Sequence, residues 1–136
     1  MSTTSWPTPE QAYAHAPDIA TEEAWLTHTS NDWEAELDRK YGLRLAAYWD
    51  RIALNTPADD EAAESAEACA LMLVNNDQHG GGARPPRSAS AAEADPCGYV
   101  RQQYRAWRRA DLTASGRCPN CGWLTYQCNC ADHPDA

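Results

Sequence analysis

The sequence has no phenylalanine and a single lysine, Lys40, set against ten arginines. Leu, Ile and Val together supply only 13 of 136 residues, while alanine alone supplies 25. So few large aliphatic groups, at a net charge of -9, put the composition near the range that cannot bury a core. Six Trp and six Tyr offset part of that deficit, because each can bury a large area. The expectation is a small aromatic-rich core, helped by metal, with loose ends. No apolar run approaches the ~18 residues of a membrane span. Met1 to Pro9 lacks the basic-then-apolar pattern of a secretory signal. Both absences point to a cytoplasmic chain, where thiols stay reduced and clustered cysteines read first as metal ligands.

Catalytic signatures are missing as well. There is no phosphate-cradling glycine loop: Gly80-Gly81-Gly82 runs into Ala-Arg-Pro-Pro, with no Lys-Ser/Thr and no helix start. No nucleophile elbow or His-Glu-x-x-His helix occurs. His15, His28 and His79 are scattered and read as solvent-exposed. The carboxylates read as solvated helix faces, so the chain is not expected to be an enzyme.

The charge that is present is unevenly spread. Residues 1–82 hold 15 acidic and 4 basic side chains, whereas residues 83–136 hold 5 acidic and 7 basic. The first part repels nucleic acid, and the second could approach it.

Periodicity predicts a mostly α chain in three parts: an acidic helical domain over 1–78, a linker over 79–94, and a C-terminal part over 95–136. Thr8-Pro9-Glu10-Gln11 has the form of a capped helix start, and Thr21-Glu22-Glu23 can open another turn or two. From Asn31 or Asp32 the residues Trp33, Leu37, Tyr41, Leu45, Tyr48 and Ile52 recur at helical steps, predicting one helix that tolerates Gly42. Thr56-Pro57 is read as the cap of the next helix. There Ala62, Ala66, Cys69 and Leu73 form a small-residue face suited to close packing, giving an antiparallel hairpin. Gly, Pro, Ser and Ala dominate the linker. Asp95-Pro96 caps a last helix of about residues 96–112, with Val100, Tyr104 and Trp107 on one side. Cys69 reads as a small buried side chain and Cys97 as a bland helix-start residue, a slightly lowered pKa being the alternative.

The densest chemistry is Cys118-Pro119-Asn120-Cys121-Gly122-Trp123-Leu124-Thr125-Tyr126-Gln127-Cys128-Asn129-Cys130. Zinc takes four thiolate or imidazole ligands in a tetrahedron, and paired thiolates on tight turns supply them economically. Trp123 to Gln127 alternate well enough for a short strand, so a small β knuckle holding one structural zinc is expected. His133 is an alternative ligand, through Cys130-Ala-Asp-His133. Two disulfides, free surface thiols, or an iron–sulfur cluster using Cys97 with three of the four are the other readings of these cysteines. The Cys-Pro-x-Cys-Gly piece resembles the first knuckle of zinc-ribbon proteins, which implies a structural zinc held by two knuckles. The resemblance covers about a tenth of the chain and carries over Cys118 and Cys121, then Cys128 and Cys130. The second half departs from that pattern in having Cys-x-Cys.

Arg101, Arg105, Arg108 and Arg109, interleaved with Tyr104 and Trp107 and extended by Arg117, could contact phosphates and stack on bases. The bland alternative has the aromatics in the core and the arginines paired with the acidic hairpin. Two functions follow: a zinc-binding adaptor or regulator that binds a protein partner, and a regulator whose C-terminal part touches nucleic acid.

Overall fold

Most of the helices start where a short polar side chain can cap them. Thr8 forms a full capping box with Gln11, and the carboxylates of Asp18, Asp38, Asp59 and Asp95 accept the N–H groups of Thr21, Tyr41, Ala62 and Gly98. The computed structural model describes residues 6–32, 38–79 and 89–127. Within them lie α1 (Pro9–Ala12), α2 (Ile19–Asn31), α3 (Arg39–Asn55), α4 (Asp60–Gln78), α5 (Ala89–Ala94), α6 (Pro96–Ala114) and a 3-10 turn, Thr125–Gln127. The chain is mostly helical, as its periodicity predicts. No helix among the described residues is long and apolar enough to cross a membrane.

Helices α3 and α4 form the expected antiparallel hairpin, since Arg39 at the start of α3 reaches Asp77 at the end of α4. Gly42 lies inside α3 without ending it. The buried faces differ in detail from the expected ones. On α3 the buried residues are Leu43, Ala46, Ala47 and Asp50, whereas Tyr41, Leu45, Tyr48 and Ile52 are only half-buried. The reason is that α3 is covered from several sides. Its alanines admit α4 and α6 closely, and its aromatic stripe turns towards α2, where Trp25 meets Tyr41 at 6.2 Å. Trp33 and Leu37, the start of the predicted stripe, lie outside the described residues.

Two boundaries move, the first for a capping reason. Thr56 closes α3, its hydroxyl bonding back to the Ile52 carbonyl at 2.7 Å, so Asp59 caps α4 in its place. The second half of the expected linker is helical: α5 lies against α4 and α6 with Ala92 fully buried. Its alanines have the strongest helix propensity of any residue, which explains the difference. The rest of that stretch, residues 80–88, is outside the described part.

Helix α6 buries Tyr99, Val100, Tyr104 and Leu112 and packs on both hairpin helices. Trp6 meets Tyr99 edge-on at 6.3 Å, directly over Gly98, where a Cβ would come within 2.5 Å of the indole. Three carboxylates enter this interior, each gripped by both arms of an arginine. Arg39 holds Asp77, Arg44 holds Glu22 and Arg101 holds Asp50, at 2.6–3.0 Å. Tyr99 donates its hydroxyl proton to Asp77, and Tyr13 donates to Asp50. The Arg44 guanidinium also lies 3.7 Å from the Trp25 ring centre, a cation–π contact.

Candidate functional site

The cysteine turn is built on the end of α6. Past Ala114 the chain reverses through Gly116, at φ 74°, and Arg117 N–H returns to the Leu112 carbonyl at 2.8 Å. Such a left-handed exit suits glycine, which has no Cβ to clash. Cys118 N–H then bonds the Trp123 carbonyl at 2.7 Å, and Gly122 N–H bonds the Cys118 carbonyl at 2.8 Å. Between them Pro119, Asn120 and Cys121 form a tight loop, with Gly122 at φ 76°. Arg117 and Leu124 make a single antiparallel bridge. The expected strand over 123–127 does not extend beyond that bridge, because residues 125–127 coil into the 3-10 turn, anchored by Thr125 N–H on the Gly116 carbonyl.

This loop presents sulfur in a form that suits a metal. The Cys118 side chain is fully buried, and its Sγ accepts the Asn120 N–H at 3.4 Å. A backbone N–H aimed at sulfur is a contact that a metal-bound thiolate can keep. Cys121 is half-buried on the same loop. Donor type, spacing and the N–H bond to sulfur all fit a soft divalent cation such as zinc. Cys128, Cys130 and His133 lie outside the described residues. Among those described, no three His, Cys, Asp or Glu side chains gather as a metal site.

The loop is also tied to the helical body. His15, half-buried past α1, donates from Nε2 to the Asn120 carbonyl at 2.7 Å, and its ring lies 3.3 Å from where a Cβ on Gly122 would be. Arg109 reaches the Pro119 carbonyl and the Asn120 side chain, and Arg117 reaches the Gly122 carbonyl. His15 thus has a positional role that its isolated place in the sequence did not suggest. His28 and His79 are exposed, as expected.

The arginine helix divides its work. Arg101 is committed to Asp50, and these hydrogen bonds raise its already high pKa. Arg108 bonds the His15 carbonyl and Asp111. Tyr104 is buried against Tyr13 and Trp107, and Trp107 is half-buried beside the Arg44 guanidinium. Arg105 is exposed, beside a cleft of about 530 Å³ lined by Trp6, Gln11, Gln102 and Arg109 among others. Burial raises the Cys97 pKa to about 11, outweighing any helix-start effect.

Arg101 pairs with the acidic hairpin at Asp50, as one reading of the sequence has it, but sequence reasoning missed the pairs Arg39–Asp77 and Arg44–Glu22, although Asp50 and Asp77 each carry a signal. Asp50 falls in helical register with Leu43, Ala46 and Ala47, and Asp77 with Ala66, Ala70 and Leu73. A carboxylate on an apolar face needs a partner. Comparison with protein-family models, with curated proteins and with solved structures found no match to this chain.

Proposed function

We propose that this chain is a small, non-enzymatic zinc-binding protein that acts as an adaptor or regulator by binding a protein partner. Cys118, Cys121, Cys128 and Cys130 would hold one structural zinc, with His133 as the alternative fourth ligand. The observation that carries the reading is the Cys118–Gly122 loop, whose buried sulfur already accepts a backbone N–H. Four protein ligands leave no open position for water, so the metal would shape a surface and not activate a substrate. The buried carboxylates are compatible with this view, since Asp50, Asp77 and Glu22 are each engaged by an arginine inside the fold.

Capture experiments with the zinc-loaded full chain and with Cys118→Ser, in nuclease-treated extracts, test this function. A protein partner retained by the first and lost by the second is the expected result. No partner with either form, or partners indifferent to the metal, would remove it.

Nucleic-acid contact is the second reading, and the cleft beside Arg105 favours it. Trp6 could stack on a base there while Arg105 and Arg109 meet phosphate. Binding to single-stranded oligonucleotides that weakens steeply with salt would support it. Arg105→Ala would then lower the affinity.

A further inference from the structure

On the outer side of the hairpin, away from α6, an apolar cleft of about 470 Å³ opens between α3 and α4. Gly42 and Leu45 of α3 and Cys69 and Leu73 of α4 form its walls, with Tyr41 and Met72 at the rim. Two observations show that it is vacant surface within the described fold. A Cβ built on Gly42 meets nothing within 4 Å. Met72, at the rim, is 63% exposed, whereas the core-facing side of the same helix is buried.

The cleft's own charged lining is mixed, with Asp38 beside Arg39, which is bound to Asp77; the excess of one sign comes from α4. Helix α4 has no lysine or arginine in its whole length. Its groove-side row runs Glu61, Ser65, Cys69, Met72, Asn76, His79, in steps of four, four, three, four and three. Apolar character on this row is therefore concentrated at Cys69 and Met72, in the middle of α4, and acidic character at its start, where Glu61, Glu64 and Asp60 are all exposed. Glu61 and Glu64 make no ion pair among the described residues, unlike the buried carboxylates. At 1.5 Å per residue the acidic end lies about 12–16 Å from Met72.

We infer that this cleft is the docking groove for a basic amphipathic helix of a partner protein. Its apolar side chains would seat on Gly42, Leu45, Cys69 and Met72, and its Lys or Arg two to three turns away would meet Glu61 and Glu64. Helix-in-groove binding uses this division of labour, with apolar anchors for affinity and charge for orientation. The inference rests on the adaptor reading and specifies its contact surface.

The probe is a fluorescently labelled 18-residue Leu/Lys amphipathic peptide, compared with a Leu/Glu peptide of the same pattern, against the full zinc-loaded chain. Binding of the Leu/Lys peptide alone is expected, weakening as salt rises. Met72→Glu adds a negative charge, so attraction by charge alone would strengthen with it. Seating in the cleft predicts instead a loss of about tenfold or more, the worth of one large apolar contact. Glu61→Gln with Glu64→Gln weakens binding and flattens its salt dependence. Circular dichroism confirms that each variant stays folded.

Unchanged or tighter binding by Met72→Glu would overturn the inference, as would equal binding of both peptides. So would concentration-dependent self-association abolished by Met72→Glu, which would assign the cleft to a second copy. If Met72→Glu leaves zinc-dependent partner capture intact, the adaptor reading survives without this groove.

Discussion

At the scale of single residues, the interior shows how a chain poor in aliphatic side chains uses charge inside its core. Asp50 is 3% exposed at its side chain, yet both its oxygens accept from Arg101 and one also accepts from Tyr13. Removing one partner of such a pair strands the other, so Asp50→Ala is expected to cost about 3–5 kcal/mol in urea unfolding. Replacing both partners, with Asp50→Leu and Arg101→Met, should cost much less. The tyrosines give a finer test. Tyr99 donates to Asp77, whereas the Tyr104 hydroxyl is buried with no partner among the described residues. Tyr99→Phe is therefore expected to destabilise by about 1–3 kcal/mol, while Tyr104→Phe is neutral or stabilising. Burial first, and then the neighbouring carboxylates, raise the pKa of Tyr13 and Tyr99, and burial raises Tyr104 to about 12. A raised folded-state pKa means that the folded protein holds the proton longer. Stability from these groups is thus complete below pH 10 and falls as pH rises beyond it. Absorbance titration should show these three phenols ionising late, together with alkaline unfolding.

At the scale of elements, caps and small residues decide where helices run and how closely they meet. Thr8, Asp95 and the α3–α4 hairpin were legible because each depends on local chemistry. The face that α3 buries was not, because it depends on which of its three neighbours needs room for alanine contacts. The same limit applied to α5, whose Ala92 is buried only because α4 and α6 are there. In the cysteine turn, Cys118, Cys121 and Gly122 were readable from spacing, but His15 lies 105 residues from Asn120 in sequence and no local signal joins them. Glycine substitutions separate these levels. Gly42→Ala adds a Cβ into open space within a helix and should stabilise by about 1 kcal/mol in thermal melts. Gly98→Ala must displace the Trp6 indole and should destabilise, with a change in tryptophan fluorescence.

At the scale of the whole molecule, the cysteine turn is an outpost of the helical body. The core runs through α3, α4, α5 and α6, while the turn is held to it by His15, Arg109 and the end of α6. If the turn holds the proposed zinc, chelation is expected to leave most of the helical circular dichroism in place while loosening the turn and its hold on His15. The most direct test of the proposed zinc knuckle is elemental analysis of protein purified without added metal, for the wild type beside Cys118→Ser. One zinc per chain, lost in the variant, is the predicted result. No zinc in the wild type, with the C-terminal cysteines joined in disulfides, would contradict it.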